Sequence, residues 1–211
     1  MKRAVICDFG GVLTTPLIES FVHYQKQSGV SFEEVFTAMH RLAEKTGENP
    51  LYELEKGLLS EAEFRRSIEE EMGGGVDLSS LSDLYFEHLQ PNAPMIDFVR
   101  GLRVERGLRS ALLTNNVREW EPKWRAMLPE IDEVFEIVVD SAFVGMRKPD
   151  PAIYELTVER LGEGVRASDC IFIDDIDVNI EAAESLGMTG VHFRSTEQAI
   201  ADIEAALAGS A

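Results

Sequence analysis

The sequence predicts an α/β fold: a doubly wound, Rossmann-like parallel sheet with a helical cap domain inserted after the first strand. Two observations predict it. Four short runs are apolar almost throughout, the pattern of parallel strands that are covered on both faces. They are AVICDF at 4–9, SALLTN at 110–115, EIVVD at 136–140 and CIFIDD at 170–175. The second observation is a long stretch, between Thr14 and Pro91, that has no convincing strand pattern.

Strands and helices alternate in the second half of the chain. A fifth strand, GVHF, is predicted at 190–193. Asp150 followed by Pro151 is typical of a helix N-cap with proline in the first turn. A further helix is predicted from 178 to 186, closed by Gly187. This alternation predicts a doubly wound sheet with right-handed crossovers.

The stretch after the first strand carries helical patterns instead. Ser60 followed by Glu63 has the spacing of a capping box, whereas GENP at 47–50 and GGG at 73–75 break the pattern. Helices are predicted at 17–28, 31–46, 60–72 and 78–89. We therefore expect a core of residues 1–15 and 92–211 and a helical cap of residues 16–91. A cap inserted there overhangs the carboxyl end of the first strand.

Charge and cysteine content limit the partners and the compartment. The chain has 38 acidic and 20 basic residues, a formal net charge of −18, so it repels phosphate backbones and anionic lipid; neither nucleic acid nor membrane is an expected partner. Cys7 and Cys170 lie in apolar runs, and no disulfide framework is visible, which suits a reducing, cytoplasmic location. Lys2 and Arg3 precede only a short apolar run, which is neither a signal peptide nor a membrane span. The sequence leaves the oligomeric state open.

Polar side chains stand where the predicted strands end, the edge at which open α/β sheets bind ligands. Three of them, Asp8, Asp174 and Asp175, would repel one another if ionised, so a cation must offset them. Lys148 supplies one positive charge, and Mg²⁺, which takes carboxylate and phosphate oxygens, is the natural second cation. The full set is Asp8, Thr114, Asn115, Lys148, Asp174, Asp175 and Asn179. Asp8 is then placed to attack phosphorus as a nucleophile.

Four ordered motifs carry a resemblance to a known family. Residues 8–14, 114–115, 148–149 and 172–179 resemble motifs one to four of the haloacid dehalogenase superfamily, and residues 16–91 stand in the place of its helical cap. The subgroup that the chain resembles includes the phosphatase domain of soluble epoxide hydrolase and small sugar-phosphate phosphatases. The resemblance implies a Mg²⁺-dependent phosphatase that acts on a small phosphorylated metabolite through an aspartyl-phosphate.

The resemblance also implies a role for each site residue. Asp8 would be the nucleophile, and Thr114, Asn115 and Lys148 would bind the phosphoryl group. The metal would be held by Asp8, the Gly10 carbonyl and Asp175, with Asp174 as a second ligand or the holder of a metal-bound water. Asn179 would hold the metal-binding carboxylates in position without contacting the metal itself.

Position 10 departs from the family pattern. Phosphatases of this family usually carry an aspartate there, which protonates the leaving oxygen and later activates water; Gly10 keeps the carbonyl but has no acid. Three interpretations stay open: a phosphatase that borrows another acid or accepts good leaving groups, a non-catalytic or regulatory binding protein, and a haloacid dehalogenase. The acidic pair favours the first and puts the dehalogenase third. His23 or His40 could replace the acid if the cap aims either of them inward.

Overall fold

The computed structural model describes residues 2–209 and contains one five-stranded sheet in which every neighbouring pair of strands is parallel. The strands are β1 (Ala4–Cys7), β2 (Arg109–Thr114), β3 (Ile137–Asp140), β4 (Cys170–Asp174) and β5 (Thr189–His192). Their order in the sheet is β3-β2-β1-β4-β5. The first strand therefore lies in the centre, between β2 and β4, and the predicted fold class is confirmed.

The inserted stretch contains five α-helices and, apart from the bridge residue Pro91, no strand residue among those described. The helices are α1 (Leu17–Ser28), α2 (Phe32–Thr46), α3 (Pro50–Glu55), α4 (Glu61–Glu71) and α5 (Leu81–His88). The capping box predicted at Ser60 and Glu63 is present. The short helix α3 was not predicted: the Asn49-Pro50 pair that looked like a break is its N-cap followed by proline in the first turn.

The remaining helices cover the two faces of the sheet. They are α6 (Ala93–Val104), α7 (Glu121–Met127), α8 (Ile131–Val134), α9 (Ser141–Val144), α10 (Pro151–Leu161), α11 (Asp177–Ser185) and α12 (Thr196–Ala208). Alternate residues of β1 enter opposite hydrophobic clusters, Val5 and Cys7 on one face, Ala4 and Ile6 on the other. Burial on both faces explains why the strand sequences are apolar without alternation.

The inserted helices have a hydrophobic cluster of their own. Tyr24, Met39 and Phe64 are among its members, and Val117, which follows β2, packs into it. In return, Tyr85 of α5 packs into the cluster on the sheet. The boundaries of core and cap stay a prediction from the sequence, but the packing gives the inserted helices their own interior.

The chain enters and leaves the inserted helices at one place. Thr14 and Pro91 form an isolated antiparallel bridge. The Thr15 amide donates to the Gln90 carbonyl at 2.8 Å, and the Asn92 amide donates to the Leu13 carbonyl at 2.8 Å. The two connections are therefore a hydrogen-bonded pair beside the end of β1.

Candidate active site

The carboxyl ends of the three central strands bring the predicted site residues together. The Asp8 amide continues the β1–β4 ladder by donating to the Ile173 carbonyl at 2.9 Å, so Asp8 directly follows β1. Thr114 ends β2 and Asp174 ends β4, and all three side chains are buried. Parallel strands end at a common edge, which is why residues so distant in sequence meet here.

Lys148 lies at the centre of this group and is almost completely buried. Its Nζ is 2.7 Å from Asp8 Oδ1 and 2.6 Å from Asp174 Oδ2. Burial by itself would lower the pKa of Lys148, but Asp174 and Asp8 outweigh it and raise the pKa. The lysine is therefore held as a cation between two carboxylates.

Asn115 holds the lysine in place through its backbone. The Lys148 amide donates to Asn115 Oδ1 at 2.8 Å, and Asn115 Nδ2 donates to the Lys148 carbonyl at 3.0 Å. The prediction gave Asn115 to the substrate. In the structure its side chain is engaged by Lys148, which the sequence could not indicate because the residues are 33 positions apart.

Asp174 is surrounded by donors from the protein. Asn179 Nδ2 donates to its two oxygens at 3.0 and 3.1 Å, and the Ile176 amide donates to Oδ1 at 2.9 Å. With Lys148 on Oδ2, both oxygens already accept hydrogen bonds. The geometry thus makes Asp174 the residue that fixes Lys148, and places Asn179 behind it.

The three carboxylates form a cluster that suits a hard divalent cation. One oxygen each from Asp8, Asp174 and Asp175 lie within 4.8 Å of one another. Burial raises the pKa of Asp8 to about 7, against the opposing effect of Lys148. Burial, with Asp174, also raises the pKa of Asp175. One lysine cannot balance three neighbouring carboxylates, and carboxylate oxygens are the ligands that Mg²⁺ takes, so the donor set fits Mg²⁺.

The two glycines after Asp8 have different reasons to be glycine. Gly11 has a φ of 75°, and a Cβ there would lie 2.2 Å from Asp175 Oδ2. Gly10 is not among the residues with positive φ, and the atoms nearest to its Cβ would be the end of the Leu17 side chain, with Cδ1 at 2.9 Å. Gly11 is therefore required by the approach of Asp175, whereas Leu17 takes up the space beside position 10.

A cavity of about 260 Å³ lies between the site and the cap. Gly10, Thr114 and Asn115 line it together with side chains of the inserted helices. Most of the lining is apolar, and much of it is aromatic. The aromatic members are Phe9, Phe21, Tyr24, Phe32, Phe36, Phe64, Tyr85, Phe86 and Trp120.

Cap and core are also joined by an ion pair at the edge of this cavity. Arg147 Nε lies 2.6 Å from Glu55 Oε2, both side chains are mostly buried, and the Arg147 guanidinium stacks over Tyr52 at 3.9 Å from the ring centroid. Ser141 Oγ donates to the Glu55 carbonyl at 2.6 Å. The sequence gave no signal for this pair beyond the position of Arg147 beside Lys148.

The cap aims neither candidate histidine at the site. His23 stacks on His88 with centroids 4.8 Å apart, and His40 is exposed beside Glu44. Neither belongs to the cavity lining.

Among residues 2–209, no helix is long and apolar enough to cross a membrane.

Comparison with known proteins identifies the family. The family model described as haloacid dehalogenase-like hydrolase matches residues 2–187. The chain belongs to the haloacid dehalogenase-like hydrolase family. This confirms the family resemblance that the four motifs predicted, and makes the protein a hydrolase of that family.

Curated relatives include proteins much longer than this chain. It is 31% identical over 97% of its length to acyl-CoA dehydrogenase family member 10 of Mus musculus, and 24% identical over 96% to bifunctional epoxide hydrolase 2 of Rattus norvegicus. It spans only 19% and 38% of those two proteins. It is also 26% identical to the sesquiterpene phosphatase astK of Aspergillus oryzae, covering 90% of this chain and 89% of that protein.

Solved structures with the same fold include metal-bound and dehalogenase members. A family enzyme of Bacteroides thetaiotaomicron, in complex with magnesium and inorganic phosphate, matches with a TM-score of 0.66 at 25% identity over 93% of this chain and 96% of that chain. The L-2-haloacid dehalogenase of Xanthobacter autotrophicus matches with a TM-score of 0.62 at 21% identity over 94% and 80%. The second likeness concerns the fold alone.

Proposed function

We propose that this hydrolase is a Mg²⁺-dependent phosphatase that cleaves small phosphoesters through an aspartyl-phosphate on Asp8. The observation that carries the proposal is the cluster of Asp8, Asp174 and Asp175, of which Asp8 and Asp174 pair with Lys148. A bound Mg²⁺ would be held by Asp8, Asp175 and the Gly10 carbonyl, with Asp174 nearby, and would stabilise negative charge on the transferred phosphoryl group.

The protein's own side chains would carry out the attack on phosphorus, stabilise the charge on the phosphoryl group and hold one another in position. Asp8 attacks phosphorus, the ester oxygen departs with the bonding electron pair, and water then cleaves the acyl phosphate to release inorganic phosphate. Lys148 and Thr114 contact the phosphoryl oxygens and offset the charge that develops on them. Asn115 and Asp174 hold Lys148 in position, and Asn179 holds Asp174.

The name of one relative and the bound ligands of one solved structure support phosphate chemistry. The relative is named a sesquiterpene phosphatase, and the solved enzyme from Bacteroides thetaiotaomicron contains magnesium and phosphate. A dehalogenase is the weaker alternative, because two further carboxylates beside the nucleophile would repel an anionic haloacid.

Phosphate release from a panel of phosphoesters, with Mg²⁺ and with EDTA, tests the proposal. We expect Mg²⁺-dependent release that Asp8→Asn abolishes, and Mg²⁺ binding by calorimetry that Asp175→Asn weakens sharply. Asp132→Asn, a substitution of an exposed acid on α8, is the matched control and should change neither. Equal Mg²⁺ affinity in a folded Asp175→Asn protein would contradict the metal assignment.

A non-catalytic binding protein is the second candidate, and position 10 is the observation that favours it. Gly10 has no carboxyl group, and Leu17 fills the neighbouring space. Binding of inorganic phosphate with Mg²⁺, without release from any ester or acyl phosphate, would support this candidate over the phosphatase.

A further inference from the structure

The cavity above the site limits what the substrate carries besides its phosphoryl group. Its lining includes Gly10, Thr114 and Asn115, which adjoin the phosphoryl position in the proposed function, on which this inference rests. A substrate whose phosphorus lies at Asp8 therefore has its remaining part in the cavity. The cavity volume is about 260 Å³, which leaves room for a body of one or two rings.

The chemistry of the lining favours an aromatic body. Phenylalanine, tyrosine and tryptophan side chains make up much of the wall, and flat rings pack against them with favourable offset or edge geometry. Among the described residues that line the cavity, the charged side chains are Glu55 and Glu61, and none is basic. A second phosphate, a carboxylate or a polyhydroxylated sugar would find few partners there.

Position 10 limits the leaving group independently. Position 10 supplies no carboxyl group to protonate the departing oxygen, and Leu17 presents hydrocarbon in the space beside it. An oxygen that leaves unprotonated must be weakly basic. A phenol has a pKa of about 10, as tyrosine does, whereas an aliphatic alcohol has a pKa near that of water, about 15.7.

We propose that the substrate class of this site is an aryl phosphate, a phosphomonoester of a phenolic oxygen whose aromatic body fills the cavity. Asp8 forms its bond to phosphorus as the bond from phosphorus to the aryl oxygen breaks, and the phenolate leaves with the electron pair. Solvent protonates the phenolate after it departs. Water then cleaves the aspartyl-phosphate, and inorganic phosphate is the second product.

Four substrates separate the two requirements. 2-Naphthyl phosphate has the aromatic body and the acidic oxygen, 2-naphthylmethyl phosphate has only the body, acetyl phosphate has only the activated leaving group, and glucose 6-phosphate has neither. We expect kcat/KM to be highest for 2-naphthyl phosphate, with 2-naphthylmethyl phosphate lower by at least about 10²-fold, since that ester needs general-acid help. A kcat/KM for glucose 6-phosphate that equals or exceeds that of 2-naphthyl phosphate would overturn the inference.

A binding measurement separates failure of this inference from failure of the proposed function. With Mg²⁺ present, calorimetry compares 2-naphthylmethylphosphonate, which cannot be hydrolysed, with methylphosphonate. We expect at least tenfold tighter binding of the naphthyl compound, and equal affinities would overturn the inference whatever the turnover. If no ester or acyl phosphate is hydrolysed, the proposed function is wrong, and the pair of phosphonates still decides whether the cavity takes an aromatic body.

Two leucines of helix α5 supply matched variants. Leu81 lines the cavity and Leu84 does not, although both are partly buried and pack against the same hydrophobic cluster. Leu81→Gln should raise KM for 2-naphthyl phosphate about tenfold and change kcat little, whereas Leu84→Gln should change neither. Equal effects of the two substitutions would contradict the placement of the aromatic body.

Discussion

Restoring the acid at position 10 is the sharpest perturbation that the site allows. Gly10→Asp places a carboxyl group beside Asp8, where the leaving oxygen departs in the proposed mechanism. Because Gly10 is not in the positive-φ region, the backbone accepts an L side chain. The obstacle is Leu17, whose Cδ1 lies 2.9 Å and Cδ2 3.1 Å from the new Cβ. These atoms are the end of a flexible side chain, and Leu17→Ala removes them.

The structure therefore predicts different gains in the single and double variants. General-acid catalysis contributes about 10²–10⁴-fold, which corresponds to about 3–5 kcal/mol of transition-state stabilisation. We expect the double variant Leu17→Ala/Gly10→Asp to approach this gain in kcat/KM on 2-naphthylmethyl phosphate. Gly10→Asp alone should gain less, because Leu17 competes for the space. Gains on 2-naphthyl phosphate should be small, since its oxygen leaves without a proton.

The assay is kcat/KM from initial rates of release of 2-naphthol or 2-naphthylmethanol at saturating Mg²⁺, which reports the step in which the ester oxygen departs. Leu17→Ala/Gly10→Asn is the matched control, because asparagine has nearly the same shape and no acidic proton. If the aspartate and asparagine variants hydrolysed 2-naphthylmethyl phosphate at the same rate, the carboxyl group would not be acting as an acid there. If the wild type were already as fast on this ester as on 2-naphthyl phosphate, another residue would supply the proton.

Three further predictions concern the glycine turn, the ion pair between cap and core, and a buried acid. Gly11→Ala should weaken Mg²⁺ binding in calorimetry at least tenfold, because the new Cβ would lie 2.2 Å from Asp175 Oδ2; Gly73→Ala, also at positive φ but with nothing within 4 Å of the new Cβ, should leave it unchanged. Arg147→Gln should lower the free energy of unfolding by about 1–3 kcal/mol in urea titration at pH 7, because it leaves the mostly buried Glu55 carboxylate, whose pKa burial already raises, without its charged partner. Burial raises the pKa of Asp140 to about 6, so its ionisation destabilises the fold as pH rises from about 4 through 6, and Asp140→Asn should flatten the loss of stability over that range.

Each of these has an outcome that would contradict it. Equal Mg²⁺ affinities of Gly11→Ala and the wild type would mean that the approach of Asp175 does not set the metal site. An unchanged free energy of unfolding in Arg147→Gln would mean that the ion pair makes no net contribution to the stability of the fold. For the buried acid, an identical pH dependence in Asp140→Asn would place the titration elsewhere; the expected difference is of order 3 kcal/mol, about two pKa units.

The sheet could be predicted because buried parallel strands leave a compositional mark. All five strands were placed to within two residues, since runs such as CIFID must be apolar on both faces. The edge position of Asp8, Lys148 and Asp174 followed from chain order and strand ends. Helix α3 was missed because Asn49-Pro50 is common both at breaks and at helix starts, and only the packing of Leu54 against the cap distinguishes them.

Contacts between residues that are far apart in the chain could not be predicted from a single sequence. Two examples are the hydrogen bonds between Asn115 and the backbone of Lys148, and the ion pair of Glu55 with Arg147. Both depend on how loops that are distant in sequence approach each other in space. The cavity was likewise invisible, because its aromatic residues have the spacing of ordinary amphipathic helices. The sequence singled out Gly10 by its missing carboxyl group, but the close approach of Asp175 to Gly11 could be seen only in the structure.

The bridge between Thr14 and Pro91 has a consequence for how this catalyst can diversify. The bridge holds the two connections side by side. The first and last residues of the inserted segment therefore keep the same separation, whatever segment lies between them. The entropy of closing a loop grows only slowly with its length, by about 0.6 kcal/mol for each doubling. Segments of different length and composition can thus be exchanged at this point while Asp8 and Lys148 keep their geometry. The helices that contact the body of the substrate can then change in evolution without a change in the residues at the sheet edge.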